Sequence, residues 1–367
     1  MTRQIWSNAV YAIMAALYLG YCAVFNTQFM LAGAARQAPS FAEIVDGQAA
    51  SRFEAAYRKA ALYREWAIGA FGSYRYLVFN EGRAGVLVGD QGWLFTDEEF
   101  RSLPTAQQKL QDTVDFIAGI RTRLNAQGTR LIVALVPAKA EIYPEKFGRF
   151  TFPAEPASRY ARTRALLARH GIDAPDLKSR LLALKSHAQL FLKTDTHWTP
   201  AGAIAVADAL SAFERRFSTA KAPAFALHET ARFDVDGDLN RYLGGAITTG
   251  ENIPLYKAAA VQAPDSSVDL FGQSEASVVL VGTSYSANEK WGFEAALKSS
   301  LGEDIVNVAE QGEGPFKPMA SYIGSASFRQ APPKLVIWEI PVRFMLSFNP
   351  EEPSDGTEPK PAVSASR

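Results

Sequence analysis

The chain has 367 residues, 48% of them apolar and 21% charged, which suits one large core with decorations and excludes wholesale disorder. Its formal net charge is zero and its pI about 6.9, so the basic footprint of a nucleic-acid binder is missing. A lone cysteine, Cys22, rules out an intrachain disulfide and thiol-rich metal sites and leaves the redox compartment unreported.

The predicted elements begin with Arg3 and an apolar run from Ala9 to Phe25, roughly 17 residues and at the short end for a membrane span. Ala32-Gly33-Ala34 fits a small-x-small cleavage site, so residues 1–35 read either as a signal anchor or as a cleavable signal peptide, and in both readings the bulk of the chain is exported. A lipoprotein site at Cys22 is disfavoured because Tyr21 stands where a small residue is required. Residues 36–80 read as a helical linker region: a polar, loop-like stretch to 50, then an amphipathic helix from Ser51 to Tyr76.

Residues 84–95, "AGVLVGDQGWLF", predict a hairpin turning at Gly-Asp-Gln-Gly. Residues 105–128 predict a helix with Gly128 as its stop signal. Leu131 to Val136 is a continuous apolar run, the mark of a strand buried on both faces of a parallel sheet. A helix near 157–169, a short segment at Ile172, a helical "DLKSRLLALKS", the motif "FLKTDTHWTPAGA" and the helix "PAGAIAVADALSAFERRF" follow. Residues 218–274 carry weak periodicity and read as an insertion over the active-site face. "ASVVLVGTSYS", "DIVNVAEQGEG" and "PKLVIWEIPVRF" supply three more strands, and 348–367 is a Pro/Ser/Glu tail with nothing to bury, predicted to be disordered. No internal repeat stands out. Alternating strands and helices predict an α/β fold, a mostly parallel sheet covered on both sides.

In open α/β sheets, sites form at the carboxyl ends of strands. The run Val278–Val281 ends in Gly282-Thr283-Ser284-Tyr285-Ser286, which sets a serine at a strand tip, where the N–H groups opening the next helix can face an oxyanion. A serine hydroxyl needs a base within hydrogen-bond reach. His197 is the candidate base. Asp195 stands two residues before it, on the same side in an extended segment, where its carboxylate can fix the imidazole tautomer and leave Nε2 for the serine. Asp195 also offsets the positive end of the helix starting at Thr199. Each piece has a plainer reading, a capping turn for Asp-x-His and an ordinary αβ turn for Gly-x-Ser-x-Ser. Together, each at an element end, they favour a Ser284–His197–Asp195 triad. Asp and His also suit metals, but His170, His187 and His228 have no ligand spacing, so neither metal nor cofactor is expected. Trp198 is open between stacking on a sugar and packing the helix start. Lys139, Tyr143 and Glu145 are candidates for the cleft lining or for loop caps. Arg343 stands open between structural and substrate-facing roles, and Tyr285 is a candidate for shaping the pocket.

The segments "TDTHWTPAGA", "VVLVGTSYS", "GDQGWLF", "VPAKAEIYPEKF" and "VIWEIPVRF" together resemble the periplasmic SGNH-hydrolase-like O-acetyltransferases of bacterial exopolysaccharide systems, the group that contains the alginate O-acetylation proteins AlgJ and AlgX, over about residues 80–346. The resemblance implies a three-layer α/β/α fold over 81–347. It carries the triad roles onto Asp195, His197 and Ser284. It also implies an acetyl group supplied by a membrane-bound O-acyltransferase, taken onto Ser284 and given to a polysaccharide hydroxyl, with the chain held at the inner membrane by its N-terminal segment. The layout is closer to AlgJ, since little sequence follows the "WEIP" strand. The chain departs from usual SGNH hydrolases in having Gly-Thr-Ser for Gly-Asp-Ser, in Asp and His preceding the Ser, and in lacking a Gly-x-Asn-Asp block. The Ser284 N–H and the loop at 310–314, "EQGEG", are the candidate oxyanion donors. A carbohydrate acetylesterase with the same triad, and a non-catalytic scaffold of the export complex, remain as competing functions.

Overall fold

The computed structural model describes residues 2–31, 39–60, 64–217, 224–244, 250–261 and 277–349. The chain divides into two compact units, Met1–Tyr74 with Gly244–Ala246, and Arg75–Leu243 with Ile247–Arg367.

The first unit opens with α1 (Thr2–Leu31), whose stretch Ala12–Leu31 is long and apolar enough to cross a membrane. The small-x-small motif at 32–34 lies outside the described residues. The stretch expected as a polar loop instead contains α2 (Phe41–Val45) and the start of α3 (Gln48–Ala60). The reason is local: Ser40 accepts from the Glu43 N–H while the Glu43 carboxylate accepts from the Ser40 N–H, a capping box that nucleates even a five-residue helix. The single helix expected over 51–76 is α3 followed by α4 (Arg64–Phe79); residues 61–63 between them lie outside the described residues. Phe25 and Phe29 of α1 are buried edge-on against Tyr57 of α3, each with ring centroids 5.2 Å apart.

The second unit begins with the expected hairpin. β1 (Val86–Val88) pairs antiparallel with β2 (Leu94–Thr96) across a turn in which Gln91 (φ 57°) and Gly92 (φ 78°) adopt left-handed backbone. Next come α5 (Ala106–Asn125), β3 (Arg130–Val136), α6 (Lys139–Ile142), α7 (Ala154–Arg169), α8 (Leu177–Leu184) and α9 (Pro200–Glu214). Gly128 follows α5 with φ 75°, the left-handed stop its position predicts. β4 (Phe225–Val235) and β5 (Glu251–Ala260) form a separate antiparallel pair. The chain then runs through β6 (Val278–Val281), α10 (Ser284–Ala287), α11 (Phe293–Leu301), β7 (Ile305–Asn307), α12 (Phe316–Gly324), α13 (Ala326–Gln330) and β8 (Leu335–Pro341).

Among the described residues the central sheet has the order β3-β8-β6-β7, parallel throughout. The last strand in sequence is therefore inserted between the first and second of this sheet: Trp338 of β8 is level with Val133 of β3 on one side and Val281 of β6 on the other. β6 and β8 are buried along their full lengths, as continuous apolar runs in a helix-covered parallel sheet must be. The segment at Ile172 adds only an isolated parallel bridge, Ile132 to Asp173.

The stretch 218–274 contains the long arm β4–β5, not foreseen as strands. A bulge between Glu229 and Ala231 breaks the period of "FALHETARFDV", and most of β4 is exposed or half-buried, so no alternation marks it. Residues 218–223, 245–249 and 262–276 lie outside the described residues, as does the tail from 350 onward.

Candidate active site

β6 delivers Gly282 and Thr283 at its carboxyl end. Thr283 takes extended backbone and caps α10, its hydroxyl accepting from the Tyr285 N–H at 3.3 Å, so Ser284 becomes the first helical residue. Gly282 does not adopt left-handed backbone. It is needed for a close approach instead: a Cβ there would stand 2.5 Å from Glu339 Oε2 and 2.8 Å from Ser286 Oγ. Glu339, fully buried on β8, receives the Thr283 N–H at 2.7 Å, the Thr283 hydroxyl at 3.0 Å and the Ser286 hydroxyl at 3.0 Å. Burial raises its pKa, against the lowering pull of those hydrogen bonds. Sequence reasoning did not single out Glu339; an acid inside the apolar run "LVIWEIP" is the signal that could have found it. Replacing Gly282 with Ala pushes a methyl into a locked carboxylate; overpacking of this kind costs about 1–3 kcal/mol, so thermal unfolding is expected at lower temperature as the serine turn shifts.

The base comes from the connection between α8 and α9. Here the chain is not extended. Asp195 Oδ1 accepts the His197 backbone N–H at 2.8 Å as well as the ring Nδ1–H at 2.6 Å, a tight Asx turn that turns the acid onto the imidazole two residues later. The expected pairing of residues 195 and 197 is therefore present, made by a turn rather than by strand alternation. The connection closes with an antiparallel bridge, Phe191 to Trp198, and with Thr199, which caps α9 by accepting from Gly202 N–H at 3.2 Å. His197 Nε2 meets Ser284 Oγ at 2.7 Å, across 87 residues of sequence. All three predicted residues come together.

The turn is held from every side. Asp238, just beyond β4, accepts the Thr196 N–H at 2.9 Å and its hydroxyl at 2.6 Å, and its own N–H reaches Asp195 Oδ2 at 3.0 Å. Glu251 of β5 accepts the Lys193 N–H at 2.6 Å. Tyr285 donates its hydroxyl hydrogen to the Thr196 carbonyl and accepts from Arg343 at 3.0 Å, which ties the serine helix to the histidine turn. Trp291 stacks on the imidazole with centroids 4.9 Å apart and planes 19° apart. Sequence reasoning did not find Trp291, Asp238 or Glu251; each comes from an element with no visible pattern linking it to the motif.

Burial would raise the Asp195 carboxyl, but hydrogen bonds from the His197 ring and backbone and from the Asp238 N–H outweigh it, and its pKa lies below the usual carboxylate range. Asp195, His197 and Asp238 place oxygen or nitrogen atoms within 4.8 Å of one another; the Asp195 and Asp238 oxygens each accept a protein N–H or O–H group and His197 Nε2 faces Ser284.

The open residues resolve as follows. Trp198 is fully buried, packed on Tyr285 and Phe293 with centroids 5.0 and 4.7 Å away, so it fills the core and no sugar reaches it. Arg343 pairs with Glu98 at 3.4 Å and with Tyr285, a structural setting. Tyr143 accepts the Leu190 N–H at 2.9 Å and Glu145 pairs with Lys185 at 2.9 Å. Lys139 is buried beneath the triad turn. The 310–314 loop starts beside the serine turn, with the Glu310 N–H on the Gly282 carbonyl at 3.2 Å and left-handed backbone at Gly312 and Gly314.

A parallel α/β sheet with a serine at a strand's carboxyl end, met by a histidine and an aspartate from a connecting turn, is the arrangement of an SGNH-hydrolase-like protein, here with the histidine supplied ahead of the serine. Residues 86–342 match the family described as SGNH hydrolase-like domain, acetyltransferase AlgX, and the chain belongs to that family. It is 37% identical over 351 residues to the probable alginate O-acetylase AlgJ of Pseudomonas aeruginosa, covering 90% of each chain. It is 38% identical to the same-named protein of Azotobacter vinelandii, covering 82% of this chain and 80% of that one. The solved O-acetyltransferase domain of Pseudomonas putida AlgJ superposes with a TM-score of 0.66 at 34% identity, over 73% of this chain and 94% of that domain.

Proposed function

We propose that the protein transfers acetyl groups to hydroxyls of alginate through an acetyl–Ser284 intermediate. The relay His197 Nε2 to Ser284 Oγ at 2.7 Å and Asp195 Oδ1 to His197 Nδ1 at 2.6 Å carries this reading. Ser284 Oγ attacks the donor's acetyl carbonyl while His197 Nε2 takes the hydroxyl proton. The tetrahedral intermediate collapses as the imidazolium returns that proton to the departing group. A sugar hydroxyl then attacks the acetyl–serine carbonyl, giving its proton to His197, and collapse releases the acetylated sugar and reprotonates Ser284. Asp195 stays ionised throughout and holds the tautomer. The Ser284 N–H and the 310–314 loop supply the oxyanion donors.

The relatives named as probable alginate O-acetylases support alginate as the acceptor. In this reading residues 81–347 are the catalytic domain, 36–80 link it to an anchor within 1–35, and 348–367 form a trailing tail. The anchor holds the enzyme on the periplasmic face of the inner membrane beside a membrane-bound O-acyltransferase that supplies acetyl groups. Purified protein given an acetyl ester donor and mannuronate oligosaccharides is expected to yield acetylated oligosaccharide by mass spectrometry. Hydrolysis of the donor that no acceptor concentration diverts would reassign the site to an esterase.

A further inference from the structure

The turn carrying Asp195 and His197 belongs to no helix and no ladder beyond one bridge at its mouth, so something else must hold its shape. Beneath it lies Lys139, the first residue of α6 after β3, with 1% of its surface exposed. Its Nζ donates to three carbonyls: Leu94 at 2.6 Å, Lys193 at 2.8 Å and Asp195 at 3.0 Å. An ammonium has three N–H donors and all three are used. The faces of Trp93 and Phe95 lie 5.3 and 5.2 Å from Nζ, which favours the cation further. The Lys139 backbone is itself fixed, because Glu99 accepts the Lys139 N–H at 3.1 Å and the Ala140 N–H at 2.9 Å.

We propose that Lys139 is a positioning residue for acyl transfer: its ammonium, working only in the protonated form, clamps residues 193–195 so that the Asp195 carboxylate meets His197. The charge also sits near that carboxylate and offsets part of its burial. A neutral amine has two N–H donors for three carbonyls. Deprotonation therefore leaves one of the three carbonyls without its Lys139 donor and loosens the turn. Burial pushes the Lys139 pKa down to about 8, against the raising pull of the acidic groups around it: Glu99 on the helical turn after β2, Asp195 itself, Asp238 beyond β4 and Glu251 on β5. Burial raises the Glu99 carboxyl against the pull of Arg343 and Lys139, and Tyr285, across the turn, is pushed well above its usual value. The alkaline limb is assigned to Lys139 because its ammonium supplies the three hydrogen bonds of the clamp, and the Lys139 variants test that assignment.

The proposal rests on the relay reading of the site, and the test separates the two. Full-length protein and its Lys139→Met and Lys139→Gln variants are assayed for acetyl transfer from an ester donor between pH 6 and 10, with folding checked by thermal unfolding. Wild type is expected to lose rate as pH rises through about 8. Lys139→Met is expected to lose about 10–100-fold in kcat with KM changed less than about twofold, the pattern of lost positioning rather than lost binding, and to lack the alkaline limb. Lys139→Gln, which keeps two donors and no charge, should recover part of kcat and also lack the limb. A folded Lys139→Met with unchanged kcat, or with the wild-type alkaline limb intact, overturns the proposal. So does a wild-type rate that stays flat to pH 10, which needs no variant to fold. Activity retained by Ser284→Ala would overturn the relay itself and not the clamp.

Discussion

Ser284→Ala is expected to reduce acetyl transfer by about 10^4–10^6-fold and to leave the fold unchanged. Losses of this size follow removal of a nucleophile from a serine relay, because the other members then have no group to act on. The hydroxyl is the only part of Ser284 removed, and its partner is His197 Nε2, so no buried carboxylate or carbonyl loses a donor. The control is Ser286→Ala. That hydroxyl stands two residues on but faces Glu339, whose other donors come from Thr283. Losing it should cost about 1 kcal/mol of stability and leave transfer within about tenfold. Mass spectrometry of protein quenched with the donor should show the acetyl increment on wild type and on Ser286→Ala, and none on Ser284→Ala. An increment surviving in Ser284→Ala would move the nucleophile elsewhere.

Asp195→Asn is the second large effect, with a rate loss of about 10^3–10^4-fold. The carboxylate accepts from the His197 ring and backbone at Oδ1 and from Asp238 N–H at Oδ2, so every position around it presents a donor. An amide has only one acceptor oxygen. Whichever way it turns, its NH2 meets an N–H, or else the imidazole flips its tautomer and presents Nε2–H to the serine, where it cannot act as base. Because the Asp195 pKa is held below the usual carboxylate range, wild-type activity should show no loss from Asp195 protonation near neutral pH. The check is a pH–rate profile of both proteins. Asp195→Asn should be slow at every pH between 6 and 9 rather than shifted along the axis. A variant restored to wild-type rate at high pH would show that the acid only tunes the base.

Much of the site was legible because its three members sit where elements end. Ser284 follows four apolar residues and a glycine, and His197 precedes a Thr-Pro helix start. Both are local patterns with local physical causes. The elements that failed to show are those whose shape comes from partners. β4 pairs with β5 alone, away from the central sheet, and a bulge between Glu229 and Ala231 breaks its alternation. α2 escaped notice because one capping box, not an apolar stripe, makes it. Trp198 stayed undecided in sequence, since an indole suits a sugar and a core equally, and only its burial against Tyr285 and Phe293 settles it.

By itself, the order of residues determined the alternation of strands and helices, the N-terminal apolar helix and the candidacy of Ser284, His197 and Asp195, because hydrophobic period and terminal signals act over a few residues. Only the tertiary structure decided that β8 enters between β3 and β6, bringing Glu339 under Gly282. It also decided that the histidine turn is held by Lys139, Asp238, Glu251 and Tyr285. Those contacts join positions far apart along the chain, where no short-range pattern records which groups will meet.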